Sequence, residues 1–529
     1  MAQGAAWIAA GTLVSRILGL VREVLIVAVF PRMVTDAFFV ALRLPNMFRR
    51  LLGEGSLSVA FIPVFVETLT KQGEAEAKKL ASGVFSLLML ILTVLTIAGI
   101  VWMRPLIEHW VGGEGYASIP GKLELTVQLA QIIFAFIFLM SIYAFFMAIL
   151  QSFRIFGLPA VAPALLNVFL ILAMFVPENW FSIPGEALAW AVIVGGGAQA
   201  GVLIPRLIRL GYFPRWVAWW KTPAVKKVLW TMLPSMAGMG ILQLTGIVNV
   251  FFASKLAEGA HSYIYLADRI LELPLSLFAV SLGSSLLPTL SRFWAAGQKE
   301  NMLDTTARSL RLILFVSLPC TLGMWILSRP ITEVVFKHGN FTAQDVEQTA
   351  AVIRIYGLSL IFAGVVRVVV PAFYAMKNTW LPAAASGFGL IVHLSFVAFL
   401  LGRYGLEGLV YSTILGSIGN LVFVFWAYKK FIGRLPVQGL AEAIGKFLIC
   451  CLPLGLLVLS FQPAFDYSAE IFALTPIGLK ALQTVLLFIF ITLAGIAYFA
   501  VGKFLQLEEC RQVLAVLSRK TKKMQQKTN

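Results

Sequence analysis

The sequence predicts an all-α polytopic membrane protein with fourteen transmembrane helices, laid out as two six-helix parallel repeats followed by a C-terminal helix pair. Three observations carry that expectation. The 529 residues are 59% hydrophobic and 13% charged, with a mean hydropathy of +0.88, which is too apolar for a soluble chain of this size, so its solvent is lipid. The apolar residues fall in runs of about 20, the length that crosses the hydrocarbon core as a helix. Three short segments of the first half return, in order, in the second.

Taken in order, the runs lie near residues 4–30, 36–69, 80–103, 123–150, 158–176, 185–205, 225–253, 260–291, 306–327, 348–376, 380–401, 405–428, 441–462 and 478–502. The N-terminus has no basic region and no small-residue cleavage site ahead of its apolar run, so the first span is expected to be retained. An even number of spans puts both termini on one side. Lys71, Lys78, Lys79, Arg206, Arg209, Lys226 and Lys227 fall in alternate loops on the side of the basic tail Arg519 to Lys527, which orients both termini to the cytoplasm. The net charge of +17 therefore reflects topology, and no nucleic-acid partner is expected.

The internal matches are Leu42-Arg43-Leu44-Pro45 with Leu271-Glu272-Leu273-Pro274, Leu158-Pro159-Ala160 with Leu381-Pro382-Ala383, and the stretch Glu186 to Gly195 with Glu407 to Gly416, at offsets of 229, 223 and 221 residues. The expected organisation is an N-terminal lobe 1–205, an interfacial linker 206–224, a C-terminal lobe 225–430, an added pair of spans 431–503 and a basic tail 504–529. The stretch Arg206 to Lys227 mixes Arg206, Arg209, Arg215, Lys226 and Lys227 with Trp216, Trp219 and Trp220, the composition of a segment at headgroup depth. Paired repeats of this kind build alternating-access transporters with a site near the midplane.

Charge is most out of place between Ser15 and Glu54, where Arg16, Arg22, Glu23, Asp36, Arg43, Arg49, Arg50 and Glu54 interrupt apolar sequence. Each costs about 2.5–3.5 kcal/mol at the centre of a bilayer, so a polar cavity or an interface is expected to shelter them. Asp36, Arg43 and Arg50 recur every seven residues and share a helix face, although Pro45 is expected to bend or break that helix. Arg16 and Arg22 lie about 120° apart on a regular helix and face one cavity only if the span bends, for which Gly19 is placed. In the second half Ser262 and Arg269 are also seven apart, Glu272 follows Arg269 at i+3, and Asp268 adjoins it. Two roles are open to these groups, pairing with each other to fix packing or binding an anion. Acids of matching depth are too few for Arg16, Arg22, Arg49 and Arg269, and dehydrated guanidinium groups suit phosphate, which accepts their two-pronged donation. Arg49 and Arg50 also stand where they can snorkel to the interface.

Neither a metal-ligand spacing nor a Walker loop, nucleophile elbow or dinucleotide fingerprint is present, so no ATP-driven or enzymatic chemistry and no cofactor is expected. A non-transporting receptor or scaffold has no need of buried arginines in both repeats.

The segments SRILGLVRE (15–23), TDAFFVALRLPNMFRRLLGEGSLSVAFIP (35–63), YLADRILELP (265–274), SLGSSLLPTLS (281–291) and FKHGNFTAQD (336–345) closely resemble the MurJ (MviN) family, lipid II flippases of the multidrug/oligosaccharidyl-lipid/polysaccharide exporter superfamily. The resemblance covers essentially the whole chain. It implies movement of lipid II, the undecaprenyl-pyrophosphate disaccharide-pentapeptide, from the inner to the outer leaflet of the bacterial cytoplasmic membrane, with membrane lipids and the cell-wall synthesis machinery as partners. It places the family's required arginines on Arg16, Arg22, Arg49 and Arg269 and its other functional positions on Asp36, Ser262 and Glu272; Arg43, Arg50, Glu54 and Asp268 are supporting charges by the spacing argument alone. The terminal pair is implied to hold the polyprenyl tail. The implied energy source is the membrane potential or a monovalent cation, and for the family's cation site spans eleven and twelve offer Thr413 and Ser417 without an acid. The alternative within the superfamily is a flippase for another polyprenyl-linked glycan or a multidrug exporter, and a cationic drug suits so positive a cavity poorly.

Overall fold

The computed structural model describes residues 2–48, 57–275, 281–436, 439–471 and 476–514, and these are almost entirely helical, with no strand among them. Packing divides the chain into two compact units, Met1–Ser262 with His338–Phe341, and Tyr263–Lys337 with Thr342–Asn529. The first comprises α1 (Ala2–Val29), α2 (Arg32–Phe48), α3 (Leu57–Gln72), α4 (Glu74–Val101), α5 (Met103–Val111), α6 (Glu114–Ala117), α7 (Lys122–Phe134), α8 (Phe136–Ser152), α9 (Gly157–Val161), α10 (Pro163–Ala173), α11 (Glu186–Gly201), α12 (Ile204–Leu210), α13 (Pro223–Ala253) and the opening residues of α14 (Ala260–Pro274). The second holds the rest of α14, then α15 (Ser281–Ala295), α16 (Lys299–Phe336), α17 (Ala343–Gly357), α18 (Ser359–Ala375), α19 (Trp380–Phe431), α20 (Leu440–Ile471) and α21 (Pro476–Phe504).

Among the described residues, eight helical segments are long and apolar enough to cross a membrane: Glu74–Val101, Lys122–Ser152, Glu186–Leu210, Lys299–Phe336, Ala343–Ala375, Trp380–Phe431, Leu440–Phe461 and Gly478–Phe504. The 52-residue α19 covers two expected runs. It changes direction at Gly405, whose φ of 55° and ψ of −127° lie where side-chain-bearing residues are strained. The expected run 36–69 takes in most of α2 and α3, and the run 260–291 takes in α14 and most of α15, with 49–56 and 276–280 outside the described residues. Pro45 lies inside α2, which continues to Phe48, and α1 is helical through Gly19.

Local chemistry explains many of the ends. Glu74 and Glu76 sit in the first turn of α4, where carboxylates offset the helix dipole. Pro163 and Pro223 occupy first turns, where a missing N–H costs nothing. Thr342 and Asp345 form a reciprocal capping box on α17. Between α12 and α13 the chain runs extended beside α4. There the Arg215 and Val217 N–H groups donate to the buried hydroxyls of Ser82 (3.1 Å) and Ser86 (2.9 Å), while Trp216 between them is exposed.

The added pair α20 and α21 packs on α16 through Phe315, Phe447, Cys450, Leu454 and Tyr498, and the Tyr498 hydroxyl donates to the Phe315 carbonyl at 2.6 Å. The beginning of the expected basic tail joins this core. Cys510 is fully buried, and Glu509 pairs with Arg311 at 2.7 Å. An apolar cavity of about 300 Å³ lies between α16, α20 and α21, where Gly323 and Gly495 face open space.

Helix crossings are closest at small residues, as expected where lipid removes the hydrophobic drive between helices. A Cβ on Gly416 would stand 2.8 Å from the Gly389 carbonyl, and one on Gly389 would stand 2.6 Å from the Gly416 carbonyl. In the first unit Gly195 crosses α10 in the same way, 3.0 Å from Leu166 Cα. Gly416→Ala is expected to lower stability by about 1–3 kcal/mol through overpacking, read as a drop in the melting temperature of the purified protein. Gly402→Ala, with nothing within 4 Å of its Cβ, is expected to leave it unchanged.

Candidate functional site

The arginine-bearing helix α1 is organised by a residue on another helix. Arg22 is 8% exposed, and its Nη1 donates to Asn167 Oδ1 of α10 at 2.8 Å while Nη2 meets Glu23 Oε1 at 2.6 Å. The same Asn167 amide donates to the Ser15 carbonyl at 2.9 Å, and Gly19 leaves the space through which the amide reaches α1. Arg22 is thus aimed by two fixed acceptors. Its Nε is buried as well and donates to nothing among the described residues. Arg16 is exposed on the same helix. Asn167 was not legible as a site residue, and its one signal is a lone amide in the apolar run PALLNVFLILA.

Asp36 and Ser262 meet each other. Asp36 is fully buried and accepts from Lys122 Nζ (2.8 Å), Gly259 N–H (2.8 Å), Ser262 N–H (3.0 Å) and the Ser262 hydroxyl (2.5 Å). Four donors fill the lone-pair capacity of a carboxylate, so its charge is fully compensated inside the protein. Lys122, also fully buried, lies 4.4 Å above the ring of Tyr116, whose hydroxyl bonds Thr126 at 2.7 Å. The cluster gathers the N-terminal part of α2, the first residue of α7, α6 and the head of α14. Lys122 is the partner that sequence reasoning missed. As the first residue of a span it reads as an ordinary loop lysine.

Of the remaining expected residues, Arg43 is half-buried on α2 and faces α13 at Gly246. In the second unit Arg269 donates to Glu272 (2.9 Å) and to the Tyr265 hydroxyl (2.9 Å), with its guanidinium 4.9 Å from the Tyr265 ring, and Asp268 beside it is half-buried. Arg367 of α18, a cation in an apolar run that sequence reasoning passed over, lies near enough to Glu272 to feel its charge. Arg49, Arg50 and Glu54 lie outside the described residues.

Long apolar helices carrying a buried guanidinium and a buried, internally neutralised ion pair define a multi-pass α-helical membrane transporter. Among solved structures, the fold is similar to a lipid II flippase MurJ in an inward closed conformation (TM-score 0.75, 23% identity, 94% of this chain and 99% of that one). It is also similar to an inward-facing multidrug resistance MATE family transporter of the MOP superfamily (TM-score 0.66, 13% identity, 81% and 96%). The family described as lipid II flippase MurJ matches residues 27–477, and the chain belongs to that family. It is 44% identical over 506 residues to the probable lipid II flippase MurJ of Bdellovibrio bacteriovorus, covering 96% of this chain and 95% of the relative. It is 34% identical over 429 residues to the lipid II flippase MurJ of Burkholderia cenocepacia, covering 79% and 82%.

Removing one partner of a buried ion pair costs about 3–5 kcal/mol because the other charge is stranded. Lys122→Met is therefore expected to lower the melting temperature sharply, and Lys122→Met with Asp36→Asn to recover part of the loss. A double variant as unstable as the sum of the two single variants would show that the pair is not coupled.

Proposed function

We propose that the protein carries lipid II from the cytoplasmic to the outer leaflet of a bacterial inner membrane by alternating access, without enzymatic chemistry. Membership of the lipid II flippase family sets the substrate, and the observation that carries the reading within this chain is Arg22. A guanidinium held by Asn167 and Glu23, whose buried Nε has no acceptor among the described residues, can donate to a pyrophosphate oxygen once the cavity opens to it. Arg16, Arg49 and Arg269 complete an arginine-lined cavity in this reading, with Arg43, Arg50, Glu54, Asp268 and Glu272 balancing it. The drive comes from the membrane potential or a monovalent cation gradient.

The finer architecture is fourteen spans in lobes 1–205 and 225–430, with spans 431–503 added and both termini cytoplasmic. Its support is the recurrence of one crossing. Gly195 and Gly416 end the matched segments, and their partners Leu166 and Gly389 each stand seven residues after Pro159 and Pro382. The same pairing in both halves is what a parallel repeat produces. In that orientation the Asp36–Lys122–Ser262 cluster lies on the side away from the basic loops, and it acts as a latch that closes the outer end while the cavity faces the cytoplasm. The apolar cavity between α16, α20 and α21 takes the isoprenoid tail, whose chemistry matches its lining.

Arg→Lys at Arg16, Arg22 or Arg269 is expected to cut lipid II flipping at least tenfold in reconstituted vesicles while the protein still inserts, because lysine keeps the charge and loses the planar fork. Normal flipping in all three variants would reduce these arginines to packing charges. For the tail, Gly495→Phe fills the cavity from a position with free space around it. Transport of full-length lipid II is expected to slow and that of a short-chain analogue to persist; equal effects on both would remove the tail from this cavity.

A further inference from the structure

The motif FKHGNFTAQD, residues 336–345, has no part in the reading above. His338–Phe341 packs with the first unit although the residues on both sides of it belong to the second. The Asn340 N–H donates to the Ala28 carbonyl at 2.9 Å, and Asn340 Nδ2 donates to the Val29 carbonyl at 2.7 Å. These are orphan acceptors at the C-terminal end of α1, which a helix must satisfy from outside itself. Gly339 makes the approach possible on two counts. Its φ is +55°, and a Cβ there would stand 2.0 Å from the Ala28 carbonyl oxygen.

Directly after this loop, Asp345 is buried and holds two elements at once. Its Oδ2 accepts from the Thr342 N–H and hydroxyl, both at 2.6 Å, and its Oδ1 accepts from the Tyr263 hydroxyl at 2.6 Å. Tyr263 follows Ser262, the residue that bonds Asp36. Neighbouring residues at the head of α14 are therefore each bound to a buried carboxylate, Ser262 to Asp36 and Tyr263 to Asp345.

We propose that Asn340 and Asp345 are positioning residues for transport. Residues 338–345 form a clasp that caps α1, the helix carrying Arg16 and Arg22, and ties that cap through Tyr263 to the Asp36–Ser262 latch, so that cap and latch release together. The proposal rests on the alternating-access reading. Ser262 cannot swing away from Asp36 without moving Tyr263, and Tyr263 is bonded to the carboxylate that sets the start of α17 and the exit of the loop.

The test uses the full chain with Cys320, Cys450, Cys451 and Cys510 replaced and Ala260→Cys added beside the latch, where the native alanine is 3% exposed. The readout is its rate of labelling by a membrane-impermeant maleimide from the outer side. Asn340→Ala and Tyr263→Phe are each expected to raise that rate about fivefold, one hydrogen bond's worth of shift. The double variant is expected to exceed either single one by much less than the product, since both open the same clasp. A parallel chain retaining only Cys450, which is fully buried, reports folding: if Asn340→Ala exposes it, Tyr263→Phe, which removes one O–H, carries the test. Asp36→Asn is the control. If it raises labelling while Asn340→Ala and Tyr263→Phe do not, or if the two effects multiply, the clasp is overturned and the gate stands. If Asp36→Asn also leaves labelling unchanged, both fall.

Discussion

A carboxylate and an ammonium with almost no exposed surface meet at Asp36 and Lys122, and much of the first unit is arranged to make that tolerable. Dehydrating each ion costs several kcal/mol, which their attraction offsets only when every remaining donor and acceptor is also filled. Here the filling comes from distant pieces of chain: two N–H groups and a hydroxyl at 259–262, and the Tyr116 ring over the ammonium. Several elements must arrive in register before the cluster forms. Such a cluster is stable when complete and poor when half made, the property required of a catch that is either closed or open.

Arg22 follows a different rule. Its charge is met by an adjacent glutamate and an amide, and its Nε has no acceptor among the described residues. Asp36 is saturated and Arg22 is not. The Arg269–Tyr265–Glu272 group is intermediate, with a side chain 30% exposed and its fork shared between an acid and a phenol.

The membrane spans were legible because the length and apolarity of α4, α7 with α8, and α16 through α21 are set by the thickness of lipid and not by tertiary partners. Arg22, Asp36 and Arg269 stood out as charges in apolar sequence. Lys122 and Asn167 did not, because their roles come from partners 86 and 145 residues earlier, and a lysine opening a span or one amide inside it is unremarkable by itself. The start of the expected basic tail is part of the fold: Cys510 is buried, and Glu509 beside it pairs with Arg311 on α16.

The extended stretch beside α4 has a consequence of its own. Ser82 and Ser86 hold it by main-chain N–H groups at 215 and 217, not by the side chains of those residues. A path held through the backbone is indifferent to most exchanges of Arg215 or Val217, so these two positions are free to drift in charge and bulk while both bonds persist. Proline is the one residue that drift cannot admit at either position, because it alone has no N–H to give.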